Sequence, residues 1–189
     1  MVNKIYKAVI LTFLLCISSN LYAEVLKKVQ ITGNNRISEA TIKVYGEIEL
    51  NKNYSNDDIN LIIKRLYGTK FFSEVSTNFS NGILNIEVKE NPIIDTIIIE
   101  GEKAKKFKKL VLKHILLKEK GSYIESDVSN DIEVIKSIYK SHGYYSTEVQ
   151  ANIQDLGSDL NRVNLIYSIN RGPRNKISKI FFIGDKKVK

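Results

Sequence analysis

Cysteine is almost missing from this chain. Of 189 residues only Cys16 is a cysteine, and it lies within the first 23 residues. After Ala23 there is no thiol, so no disulfide, thiolate metal site or thiol nucleophile can be built there. Histidine is nearly as scarce: His114 and His142 stand apart, at no metal-ligand spacing. Proline occurs only at Pro92 and Pro173, so both are positional marks rather than background. A second glycine and a Lys-Ser/Thr pair are lacking after Gly101-Glu102-Lys103, which excludes a phosphate loop. Asp57-Asp58 reads as helix capping, not acid–base chemistry. With no catalytic constellation, no cofactor motif and no metal spacing, the expectation is a binding protein rather than an enzyme.

Long apolar runs are also missing beyond the N-terminus. The first 23 residues read as a secretory signal peptide: Lys4 and Lys7, an apolar stretch from Ala8 to Ile17, and Ala23 before Glu24. That stretch is about half of the ~20 residues needed to span a bilayer. Leu15 precedes Cys16 where a lipoprotein signal has a small residue, so Cys16 is not read as a lipidation site. An exported chain without disulfides suits a bacterial periplasm. Acids are in deficit too, 21 against 29 Lys and Arg, a formal charge of +8. Removing a signal with two lysines and no acids leaves +6. Such a balance suits nucleic acid, an anionic membrane or an acidic partner, and export removes most of the case for nucleic acid.

What is present is repetition. VLKKVQITGNN (25–35), IIDTIIIEGE (93–102) and KISKIFFIGD (176–185) are strand-like runs ending at Gly33, Gly101 and Gly184. GTKFFSEV (68–75) is echoed by SHGYYSTEV (141–149), and NIEVKENP (85–92) by IYSINRGP (166–173). Glycines spaced 68 and 83 residues apart mean small recurring domains, not one large core.

In the first copy Val25, Val29 and Ile31 share a strand face. Ser38 caps a helix over 39–46, and Ser55 caps a second with an apolar stripe of Ile59, Ile62, Ile63 and Leu66. A strand from Phe72 to Phe79 turns at Asn81-Gly82 into an alternating return strand. The second copy repeats this: strand 93–100, helix 103–117, a helix starting at Ser126, strand 145–153 and strand 161–169. Ile94 and Ile98 are expected to face a neighbouring domain, and His114 to pack on an apolar helix face. Each copy is β-α-α-β-β. The expected architecture is α+β: a three-stranded mixed sheet in the order second–third–first, with both helices on one face and the second strand at an edge.

This layout resembles the POTRA (polypeptide-transport-associated) domain. The likeness rests on Ile31, Gly33 and Asn34, on aromatic pairs before the edge strand (Phe71-Phe72; Gly143-Tyr144-Tyr145), and on the closing Glu90-Asn91-Pro92. Lys70 stands where the family often has glycine, and Arg171-Gly172-Pro173 lacks the closing acid. The resemblance gives 1–23 as signal peptide, 24–92 as POTRA repeat 1, 93–173 as repeat 2, and 174–189 as the first strand of a third. A signal followed by tandem POTRA units is similar to the N-terminus of the BamA family of outer-membrane β-barrel insertases. TamA-like or two-partner-secretion transporters and a stand-alone periplasmic adaptor are the alternatives.

The resemblance implies a periplasmic module capturing unfolded outer-membrane proteins. Its implied partners are assembly-complex lipoproteins, neighbouring POTRA units and a C-terminal membrane β-barrel. Clients would pair with the edge strands by β-augmentation. The candidate positions are Ser73, Val75, Thr77 and Phe79 in repeat 1, and Ser146, Glu148, Gln150 and Asn152 in repeat 2. Solvated edges blunted by Glu74 and Glu148 are the alternative. The densest basic run, Lys103, Lys105, Lys106, Lys108 and Lys109, is a candidate lipid or acidic-partner patch, or else a solvated helix face with Phe107 turned inward.

Overall fold

A computed structural model describes residues 24–157, 161–176, 178–181 and 183. The expected signal peptide and Cys16 lie outside these residues. The chain divides into two compact units between Glu90 and Asn91, each with its own apolar core.

Unit 1 runs β1 (Glu24–Val25), β2 (Lys28–Thr32), α1 (Glu39–Gly46), β3 (Asn53–Tyr54), α2 (Asn56–Gly68), β4 (Phe72–Ser80) and β5 (Ile83–Glu90). Its main sheet is ordered β2-β5-β4, with β2 parallel and β4 antiparallel to β5. Alternation fixes the buried face: Leu84, Ile86 and Val88 point to the helices, and Asn85, Glu87 and Lys89 to solvent. Ile42, Ile59, Ile62 and Leu66 close the core from the helix side. Ser38 caps α1, and Ser55 with Asp58 forms a capping box on α2. Asn81 and Gly82, with φ of 53° and 75°, make the hairpin turn their sequence demands.

The opening strand is not continuous. It breaks at Leu26, which is fully buried, while Val25 is exposed and pairs with Asn53 in a separate two-stranded ribbon, β1-β3. Leu26 bonds residues 51 and 52, so its backbone leaves the main sheet.

Unit 2 runs β6 (Ile93–Glu100), α3 (Lys105–His114), α4 (Glu125–Ser141), β7 (Glu148–Asp155) and β8 (Arg162–Asn170). Its sheet order, β6-β8-β7, repeats that of unit 1. A register shift between Ile94 and Ile97 brings Ile94, Ile97 and Ile99 all to the inner face. Ile94 is thus a core residue of its own unit, not a contact awaiting a neighbour, and Ile98 is half-buried. Helix α3 is shorter than its apolar spacing suggests, ending at His114, which is exposed, not packed. Helix α4 starts at Glu125 from an uncapped Ile124, one residue ahead of Ser126. The described residues of 176–183 form no strand; the rest of that expected third opening lies outside the described residues.

The repeated glycine has one cause in both units. Gly33 and Gly101 take φ of 81° and 75°, and a Cβ there would lie 2.0 Å from the Val88 carbonyl oxygen and 2.2 Å from that of Ile169. The chain leaves its first strand by crossing tightly over the end of the central one, which only glycine permits.

The charges beyond that crossing are exchanged between units. In unit 1 the closing Glu90 accepts the backbone N–H groups of Asn35, Arg36 and Ile37 at 3.0, 2.9 and 2.8 Å, with Arg36 at 3.7 Å. In unit 2 the closing residue is Arg171, and the loop supplies the acid, Glu102, at 3.8 Å. Glu102 also accepts from the Ala104 N–H and the Tyr139 hydroxyl. The missing acid of Arg171-Gly172-Pro173 is therefore replaced from across the loop.

Candidate peptide-pairing edges

Each three-stranded sheet has two outer strands, and they are not equivalent. The outer side of β2 is approached at its start by the loop before α2, where Leu26 exchanges backbone bonds with Asn51 and Lys52 at 2.7 and 2.9 Å. The same happens in unit 2: Ile94 exchanges bonds with Lys120 and Gly121, and the Ile97 N–H donates to Glu119. The edges at β2 and β6 are thus partly covered. Among the described residues the second strand of each motif, β4 and β7, has β5 or β8 as its single neighbour and no second strand beyond it.

On β4 the Val75 N–H donates to the Tyr67 hydroxyl at 3.0 Å, so it points away from β5. In an antiparallel ladder a residue turns its N–H and C=O to the same side, and alternate residues agree. The outward set is therefore Val75, Thr77 and Phe79. Their side chains lie on the helix side: Val75 is buried, Thr77 and Phe79 half-buried. Ser73 sits at an irregularity between Phe72 and Glu74, its hydroxyl on the Lys89 carbonyl. Tyr67 already occupies the Val75 amide, leaving Thr77 to Phe79 as the open stretch. Glu74 pairs with Lys89 across the strands at 2.8 Å.

On β7 the expected positions fall differently. Ser146 precedes the strand, which starts at Glu148. Glu148, Gln150 and Asn152 are exposed, on the solvent face. Val149 pairs with Ile169 as Val75 pairs with Val88, each partner being the residue whose carbonyl lies against the repeated glycine. By that equivalence the outward backbone groups belong to Val149, Ala151 and Ile153, one residue out of phase with the sequence reading. The signal that places them is the echo of 68–75 in 141–149, which matches Val75 with Val149. Ile153 is half exposed and lies on this outward set.

Beside the start of β7 lies an open groove of about 340 Å³, lined by Glu133, Lys136 and Lys140 of α4 and by Tyr144, Tyr145 and Thr147. Tyr145 is 63 % exposed at its rim. Tyr144 is held by Arg171, whose guanidinium lies 5.3 Å from the ring centre, and by edge contact with Phe107.

The basic run is split by the fold. Lys103, Lys105, Lys106 and Lys109 are exposed, whereas Lys108 turns back and donates to the Ile99 carbonyl at 2.9 Å. Lys108 is therefore a structural tether and not part of a free patch. Phe107 faces inward and stacks on Tyr139, with ring centres 4.9 Å apart.

The most strongly displaced titrations lie in the core of unit 2, away from the edges. Burial, then the Glu102 carboxylate, pushes the Tyr139 phenol up. Burial and the Asp131 carboxylate do the same to Tyr167. Burial is the largest influence on Glu102 and acts upward, but the bonds from Ala104 and Tyr139 and the nearby Arg171 together hold its carboxyl below the usual value. Asp131, fully buried on α4, accepts from the N–H groups of Leu116 and Leu117 and from the Tyr167 hydroxyl. Sequence reasoning passed over Asp131. Its position matches Ile62 of unit 1, as Tyr167 matches Ile86, and that paired change from apolar to polar was the available signal. His142 meets the Ile138 carbonyl at 2.8 Å, at the C-terminal end of α4. Among the described residues no group of His, Cys, Asp and Glu is placed to hold a metal, and no helix is long and apolar enough to cross a membrane.

Residues 92–172 match the POTRA family, described as a surface antigen variable number repeat. The chain is 27% identical over 176 residues to an outer membrane protein assembly factor BamA of Neorickettsia risticii, covering 93% of this chain and 23% of that protein. It is 25% identical over 165 residues to the BamA of Neisseria meningitidis serogroup B, covering 85% and 20%. The chain thus spans about a fifth to a quarter of the length of these relatives. In fold it is similar to the N-terminal domain of Omp85 from Thermosynechococcus elongatus, with a TM-score of 0.53 at 13% identity, covering 80% of this chain and 64% of that one.

Proposed function

From a chain that carries a POTRA domain over residues 92–172, we propose a periplasmic receiving module for unfolded outer-membrane proteins, working by strand addition at β4 and β7. On this reading 1–23 is a cleaved export signal, 24–92 and 93–173 are two POTRA repeats, and 174–189 opens a third. The module would serve a larger outer-membrane assembly factor, with lipoprotein subunits and a membrane β-barrel as its further partners.

The observation that carries the reading is the asymmetry of the two edges in each sheet. The outer strands β2 and β6 are partly taken by the chain itself, at Asn51-Lys52 and Lys120-Gly121. Strands β4 and β7 are left with one neighbour each. Backbone pairing makes little demand on client sequence, which suits many clients, and side-chain pockets beside the edge add selection. The groove at Tyr144 and Tyr145 provides such a pocket next to β7. Unit 2 offers the longer open edge, because among the described residues no tyrosine bond like that of Tyr67 occupies Val149.

The test is an NMR titration with an extended peptide taken from an outer-membrane β-barrel strand. Amide shifts should concentrate on Val149 to Ile153 and, more weakly, on Thr77 to Phe79. Proline placed at Ala151 should abolish the first set. Shifts confined to β2 and β6, or none along β7, would overturn the reading.

A further inference from the structure

Helix α3 carries its charges against the usual helix preference. The positive end of a helix favours carboxylates and disfavours cations. Helices α1, α2 and α4 follow that rule, with Glu39, with Asp57 and Asp58, and with Glu125 and Asp127 in their first turns. Helix α3 has no acid there, no side-chain cap at Ala104, and begins with Lys105-Lys106. The carboxylate nearest this end, Glu102, is committed to the Ala104 N–H, the Tyr139 hydroxyl and Arg171.

Neighbouring acids do not neutralise these lysines. In unit 2 Asp95 pairs with Lys120 and Arg162, Glu133 with Lys136, and Glu102 with Arg171. Lys105, Lys106, Lys109 and Lys113 are exposed and make no ion pair among the described residues. Spacings of four between 105, 109 and 113 put three of them in one row. The opposite face of α3 is the inward one, through Phe107, Leu110 and Val111.

Two exposed leucines belong to the same outer surface. Leu112, on α3 beside Lys109 and Lys113, is 40 % exposed, and Leu116, in the turn after the helix, is 57 % exposed. Lys118 secures that turn by donating to the carbonyls of Leu112 and Lys113 at 2.7 and 3.4 Å. An extended anionic surface alone would account for the lysines. A bilayer accounts for both: ammonium groups reach the phosphates while leucines enter the boundary of the acyl chains.

We propose that the outward face of α3, with Leu112 and Leu116, docks this chain on a surface of anionic phospholipid. This goes beyond strand addition and does not depend on it, since neither β4 nor β7 contributes a residue.

The test uses residues 24–189, the chain left after the expected cleavage, sedimented with phosphatidylcholine vesicles with and without phosphatidylglycerol. Binding should require phosphatidylglycerol and weaken as salt is raised. Each lysine near an anionic membrane is worth about fivefold, so K105A/K106A/K109A should bind about a hundredfold more weakly. The same three positions changed to arginine should bind like the parent. L112S/L116S should lose several-fold at low and high salt alike. All five side chains are exposed, and an unchanged far-UV circular dichroism spectrum verifies that the variants fold. Two results would overturn the proposal: vesicle binding that ignores the lysine triple, or leucine variants that bind as tightly as the parent. Tight, leucine-independent binding to immobilised polyglutamate with none to vesicles would also overturn it, assigning the face to an acidic protein.

Discussion

At the scale of single residues, the two units contain matched controls for one another. Gly33 and Gly101 are held at positive φ with a carbonyl oxygen where a Cβ would go. Gly68 ends α2 with open space around it. Alanine should therefore act in opposite directions. G33A or G101A should cost about 3 kcal/mol or more, because the chain must move off the central strand. G68A should stabilise by about 0.5–1 kcal/mol through lower chain entropy. Urea midpoints at unchanged slope would measure both. Lys70 provides the reverse case. It stands at φ 61°, where unit 2 has Gly143 at 90°. The left-handed region costs a residue with a Cβ about 1–2 kcal/mol, and a glycine loses about 0.5–1 kcal/mol in chain entropy. K70G should accordingly be neutral or stabilising by up to about 1 kcal/mol, whereas G143K, moving the other way, should destabilise.

At the scale of elements, α4 shows where a polar residue replaces packing. Asp131 stands in the buried stripe between Val128 and Ile135, and its carboxylate joins the turn after α3 to the central strand β8 through Leu116, Leu117 and Tyr167. Removing one donor differs from removing the acceptor. Y167F should cost about 1 kcal/mol, since Asp131 keeps two backbone donors. D131A should cost about 3 kcal/mol or more, because two buried N–H groups and a phenol lose their partner together. Equal losses in thermal unfolding would contradict this account. The same helix marks the limit of what was legible beforehand. Order and direction of the strands followed from alternation at Leu84, Ile86 and Val88, from the Asn81-Gly82 turn and from two capped helices. Those signals are local, and each sits within a few residues of the feature it specifies. Asp131 interrupts a stripe, and its partners lie 14 to 36 residues away, so its role emerges only when chain segments meet. The bulge at Ile94–Ile97 and the break at Leu26 have the same origin: covering of the outer edge by a loop, which periodicity along one strand does not encode. The edge positions on β7 were missed by one residue, and in a strand one residue exchanges inward for outward.

At the scale of the whole molecule, the two units share a plan but not a pH response. Unit 1 has Ile62 and Ile86 where unit 2 has Asp131 and Tyr167, so this buried acid–phenol pair belongs to unit 2 alone. In unit 2 the Glu102 carboxyl is held below its ordinary value when folded. Its contribution is present above the ordinary carboxylate range and is lost as pH falls through the depressed value, so E102Q should reduce the acid sensitivity of unit 2. The tyrosines act at the other end. Tyr139 and Tyr167 are raised when folded, chiefly by burial and then by Glu102 and Asp131. Unfolded, a tyrosine ionises near pH ~10. Below that pH their stabilisation is complete; above it the unfolded chain releases protons that the folded unit retains, and stability falls as pH rises. Unit 2 should open first on alkaline titration. Methyl spectra resolve this, because Ile62 and Ile86 report on unit 1, and Ile94 and Ile135 on unit 2. The signals of Ile94 and Ile135 should vanish at lower pH than those of Ile62 and Ile86. Y139F should shift that loss to higher pH, since a phenylalanine has no proton to release. Simultaneous loss in both units, or a midpoint unmoved by Y139F, would show that the buried phenols do not set the alkaline limit.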